Sequence, residues 1–267
     1  MHIMYMLFIV TIVFTLTLFL MCMFRPKLKN PIINPLFQCA TAIFLFAWTY
    51  AMYLHNGIKG FLTFDNISPY ICTIIPLTAI MNKRARDFVR PTIAFLGFGM
   101  FLAMFISPEF EYLFNYHQST KLIHVSEAAC HLVMGLYGFY LILSDKVKVT
   151  MANLTKALTF IYISIGFVIF LNFVFHRSYF GMNMYGDHSI YFLRIFDTFE
   201  TTLIAYLLGV FAVMILGFLI GLLLEKISRP VDLKSEIQRI LKELEEEESS
   251  SPETLTRQKE GAESLRI

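Results

Sequence analysis

Charge is what this sequence lacks most. Only 16% of its 267 residues are Asp, Glu, Lys or Arg, against about 25% in soluble domains. The hydrophobic share is 57%, with Phe alone occurring 28 times. One globular core cannot hide that much apolar surface from water, so the solvent implied is lipid. The net charge of +2 marks no acidic partner, and no nucleic-acid partner is expected. Cysteine is scarce as well: Cys22, Cys39, Cys72 and Cys130 all fall inside apolar runs, and no C-x-x-C occurs. That pattern excludes a disulfide framework and a zinc knuckle. A glycine-rich phosphate loop and an internal repeat are also missing, and no cofactor is implied. The single tryptophan, Trp48, suits an interfacial belt together with the outer tyrosines.

Long apolar runs are what the chain has in abundance. A helix crosses a bilayer with about 20 mostly apolar residues. Seven stretches qualify, at 3–24, 33–54, 67–81, 91–107, 122–144, 157–176 and 202–224. The first lacks a charged n-region and a small-residue cleavage site, so it reads as an uncleaved span rather than a signal peptide. Pro91 falls at the start of the fourth run, where proline is tolerated. Gly97 and Gly99 read as points of close helix approach.

Lysine and arginine orient the spans. Arg25, Lys27, Lys29, Lys83, Arg84, Arg86, Arg90, Lys146, Lys148 and Lys156 lie in loops of one parity, while Lys59, Lys121, Arg177 and Arg194 lie in the others. The fold class expected is all-α: a polytopic protein of the cell membrane with seven transmembrane helices, N-terminus outside and C-terminus inside. The transmembrane domain covers 1–226. Beyond Arg229-Pro230 the composition changes. Leu233, Ile237, Ile240, Leu241 and Leu244 recur at helical spacing, which predicts an amphipathic cytoplasmic helix over 231–248. This helix is a candidate contact for a cytoplasmic partner. Residues 249–267 have no apolar face and read as a disordered tail.

Ionisable groups inside a span point to function, because each disfavours insertion. The fifth run opens with "HVSEAACH", where His124, Glu127 and His131 fall within about 60° of arc on one helix face. That face should turn into the bundle. His131 lies about 14 Å below the outer surface, Cys72 about 8 Å and Asn172 about 6 Å, at 1.5 Å per residue. A shared outer cavity follows if the spans face one another. An interhelical hydrogen bond is the plainer role for His131, and a packed small hydrophobe is the plainer role for Cys72. His124 and His131 are too far apart along the axis to share one metal ion. Glu127 and His131 with His176 are the remaining combination, and no metal is expected. Cys and His can also support acyl transfer, since an imidazole beside a thiol favours the thiolate.

The stretches "SPYICTIIPLTAIMNKR" and "FLGFGMFLAMFISPEF" resemble the third and fourth spans of the YwaF-like integral membrane proteins. "CHLVMGLYGFYLILSDKVK" is similar to that family's fifth span and "LNFVFHRSYFGMN" to its sixth, all in order over about residues 30–225. A distant animal relative of that family is a membrane acyltransferase that moves fatty acyl chains onto lysophospholipids. It uses a Cys in the third span and a His in the fifth. By position the resemblance implies Cys72 as nucleophile, His131 as general base and Asn172 as a residue that orients a group in the cavity. Two positions depart from the family. Tyr70 stands where the family has a His, which removes a proton acceptor beside the thiol. The sixth-span Asn-Tyr pair is replaced by Ser178-Tyr179, or else shifted to Asn183.

Two functions are therefore expected to compete. One is a lipid acyltransferase or thioesterase-like enzyme, with Cys72 and His131 catalytic and Asn172, Glu127, His124 and Tyr70 lining an outer-leaflet cavity that admits membrane lipid. The other is a non-catalytic membrane protein that binds a lipid or small ligand, or scaffolds a partner.

Overall fold

A computed structural model of the protein describes residues 2–56, 67–106, 121–176, 178–182, 198–228 and 241–242. Among the described residues there is helix and no strand. Helix α1 spans His2–Met23, α2 Arg25–Leu28, α3 Ile33–Asn56 and α4 Ile67–Ile80. Helix α5 spans Lys83–Ile106, α6 Lys121–Leu143, α7 Met151–Phe175 and α8 Phe199–Ile227, with a short 3-10 turn at Tyr179–Gly181. Each of the seven apolar runs is helical over most of its described residues. Residues 1–228 form one compact unit and 229–267 a second. In the second, only Leu241 and Lys242 are described, both helical. The rest of the amphipathic segment and the tail lie outside the described residues.

Helices α7 and α8 are long and apolar enough to cross a membrane, and Thr11–Met23, Ile33–Ala47, Ile67–Ile80 and Ala129–Leu143 are shorter apolar helical stretches. Their outward faces are oily. Ile163, Phe167, Phe170 and Val174 on α7, and Ile204, Leu208, Phe211 and Leu219 on α8, are exposed. The spacing follows one stripe of a helix. Water would penalise such a stripe; hydrocarbon would not.

Two helices start earlier than hydrophobicity suggests, because caps rather than apolarity set their ends. The Asn82 side chain accepts from the Ala85 amide at 2.9 Å, so α5 begins at Lys83 and carries Arg84, Arg86 and Arg90 in helix. The Thr150 side chain likewise accepts from the Asn153 amide. Pro91 therefore sits inside α5 rather than at its start, correcting the expectation. Pro76 sits inside α4. Having no N–H, it withdraws the helical donor from the carbonyl four residues earlier, that of Cys72.

Helix α5 packs on α6, α7 and α8, while α3 packs on α4 and α1 on α6. Glycine makes the closest approaches possible. A Cβ on Gly138 of α6 would stand 3.0 Å from the carbonyl oxygens of Ile93 and Ala94 on α5, and 3.5 Å from the Gly97 Cα. On α8, a Cβ at Gly217 would fall 1.9 Å from the Phe95 carbonyl oxygen.

The C-terminal ends of α1, α6 and α8 meet at one side chain. Arg25 is buried, at 9% exposure. Its Nε donates to the Leu143 carbonyl at 3.2 Å, Nη1 to the Ser228 hydroxyl at 2.7 Å and Nη2 to Asp145 Oδ1 at 2.9 Å. Lys29 also pairs with the Asp145 carboxylate. A cation at helix C-termini meets carbonyls that have no partner within their own helix. Asp145 takes a left-handed backbone, φ 58°, which Asp tolerates better than most residues.

Candidate functional site

Cys72 lies in α4 and is buried, at 4% exposure. Its sulfur approaches the Met134 thioether sulfur on α6 at 3.4 Å. Met134 is itself fully buried, and Cys130, one turn earlier on the same helix, is 1% exposed. Helices α4 and α6 thus do meet at the thiol, as the shared-pocket expectation requires. The group that meets it is a thioether, which is a weak acceptor and a poor base. His131 is half-buried and stands one turn from Met134. His124 and Glu127 lie in the first two turns of α6, and their side chains are outside the described residues.

The other two candidates are tied to a buried turn. Asn172 is fully buried. Its Oδ1 accepts from the Tyr179 amide at 2.7 Å and its Nδ2 donates to the Tyr179 carbonyl at 3.2 Å. The group Asn172 orients is therefore the backbone after α7, held where the chain leaves the helix through His176 in a left-handed conformation, φ 51°. Phe180 follows at φ 58°, which disfavours a bulky residue by about 1–2 kcal/mol. Burial of its whole side chain, at 0% exposure, compensates. The Phe180 ring meets Tyr70 edge-on at 5.5 Å and stacks near Tyr206 at 6.3 Å. The hydroxyl of Tyr70 lies 2.7 Å from that of Ser164. Because the Ser164 hydroxyl donates to the Phe160 carbonyl, the phenol supplies the proton between them. Among the described residues, Asn172 and Tyr70 are thus tied to the buried turn and to Ser164 by hydrogen bonds and ring contacts.

At the opposite ends of these helices is a polar cluster that the sequence reading passes over. Arg90 of α5 is buried, at 6% exposure, and its Nη2 donates to Gln38 Oε1 of α3 at 2.8 Å. Gln38 Nε2 donates to Asn34 Oδ1 and, at 3.4 Å, to the Tyr140 hydroxyl of α6. That hydroxyl donates in turn to the Asn34 carbonyl at 3.1 Å. The Nε atoms of Arg86 and Arg90 are buried without a hydrogen-bond partner among the described residues. The available signal was Asn34 and Gln38, two amides one turn apart inside an otherwise apolar run. Separately, a depression of about 570 Å³ opens at the start of α5, lined by Asn82, Arg84, Ala85, Asp87, Phe88 and Lys156. None of the six sequence candidates lines it. Among the described residues, no group of three or more His, Cys, Asp or Glu is placed to hold a metal ion.

No family model, curated protein or solved structure matches the chain.

Proposed function

We propose that this is a multi-pass protein of the cell membrane, YwaF-like in its span pattern, which binds a lipid or small anionic ligand without transforming it. Its seven helices would each cross the bilayer, with the N-terminus outside and the basic loops inside. The amphipathic segment at 231–248 would remain available to a cytoplasmic partner. The meeting of the ends of α1, α6 and α8 supports an alternating path, and the oily outward stripes support lipid contact. The observation that carries the non-catalytic reading is the Cys72 sulfur packed against the Met134 sulfur at 3.4 Å. A thioether is a weak acceptor and a poor base, so the contact described at this thiol is one of packing.

Acyl transfer is the second reading, favoured by one specific observation: the Cys72 contact on α6 lies a single turn from His131. Turnover of a radiolabelled phospholipid by purified wild-type protein and by Cys72→Ala separates the two. Non-catalytic binding gives no turnover in either, with lipid retained by both. Wild-type turnover that disappears in the variant while folding and lipid retention persist establishes the enzyme and removes the first reading.

A further inference from the structure

Helix α5 begins with two arginines, Arg86 and Arg90, four residues apart and so on one face. Arg90 is buried and Arg86 half-buried, so the pair runs from the rim of the bundle inward. The described hydrogen-bond partners of Arg90 are neutral. Gln38 takes one Arg90 donor, Tyr140 joins the same network, and the field of both guanidiniums reaches Tyr137. Asp87 lies between them in sequence but is exposed. The ion pairs among the described residues join Arg25 and Lys29 to Asp145; neither Arg86 nor Arg90 takes part.

Two guanidiniums that repel each other in a low-dielectric setting, with only the exposed Asp87 opposing their charge and no ion pair among the described residues, are costly. Each retains an Nε–H that is buried and, among the described residues, unpaired. What would satisfy both at once is an anion with several oxygens, because the guanidinium fork matches phosphate geometry. Basic pockets between membrane helices recognise phosphate headgroups in this way.

We infer that Arg86 and Arg90 form a binding site for a phosphate group, carried by an anionic phospholipid or by a free phosphate. The site rests on the reading of this chain as a membrane-embedded ligand binder, and it gives that ligand its chemistry. Arg90 supplies the buried fork, and Arg86 meets the phosphate at the rim.

The test uses the full-length protein in phosphatidylcholine nanodiscs. Thermal stability is followed against added phosphatidylglycerol in one arm and inorganic phosphate in the other. Wild-type protein is expected to be stabilised in at least one arm. Affinity should fall about tenfold to a hundredfold in Arg86→Gln and in Arg90→Gln, as loss of charge-assisted hydrogen bonds implies. Arg84→Gln, at an exposed position, should leave it unchanged. Should Arg90→Gln fail to fold, Arg86→Gln at the rim decides alone. Phosphatidylglycerol binding that is equally strong in the Arg86 and Arg90 variants overturns the site but leaves a lipid binder. Binding of inorganic phosphate alone, sensitive to both arginines, keeps the site and removes the lipid. Binding in neither arm overturns the proposal.

Discussion

Asp145 shares its carboxylate between two cations, Arg25 at 2.9 Å and Lys29. Burial works to raise its pKa. The hydrogen bonds and charges of Lys29 and Arg25 outweigh that and hold the carboxyl below its ordinary value of 3.8. A carboxyl held low in the folded state stabilises the fold above its ordinary pKa. The contribution disappears as pH falls through the folded value. In detergent, Asp145→Asn should therefore melt below wild type at pH 7, and the gap should close as pH drops below about 3.8, the ordinary value of the carboxyl. The side chain is 43% exposed, so the gap at pH 7 should stay within about 1 kcal/mol. A gap independent of pH would mean that the side chain acts through packing or backbone shape rather than charge.

Where helices touch, glycine sets the distance. Gly217→Ala on α8 drives a methyl group into the Phe95 carbonyl of α5, so the two helices must separate. Overpacking of this kind costs about 1–3 kcal/mol, and a lowered melting temperature with intact helical circular dichroism is the expected result. An unchanged melting temperature would show that α8 slides freely over α5. Helix positions were legible in the sequence because apolar runs of membrane length admit little else, and Gly97 was legible as a close-approach point. Helix starts were less so: Asn82 and Thr150 act through their caps, which a hydrophobicity window averages away. The candidate site was legible only as a set of depths. Spacing put Cys72, His131 and Asn172 in one layer. Rotation about the α4 and α7 axes then decided that Cys72 faces Met134 and that Asn172 faces its own chain. Arg90 was counted among loop charges because it precedes Pro91, and that proline reads as a helix start.

For the whole molecule, the proposed alternating path and its basic loops predict sidedness. Single cysteines at Lys27→Cys and Lys148→Cys should resist a membrane-impermeant maleimide in intact cells and react once the cells are opened. His176→Cys should react in intact cells. The reverse pattern would invert the orientation, and uniform reactivity in intact cells would remove the spanning arrangement. Assembly order follows from the side chain that joins three helix ends. Arg25 and Ser228 are 203 residues apart in sequence. At 5–20 residues per second of synthesis, roughly 10–40 s separate the emergence of the guanidinium from that of its last acceptor. Leu143 and Asp145 thus become available to the guanidinium before Ser228 does, and a nascent chain stalled before α8 would leave one of its three donors, Nη1, without its acceptor.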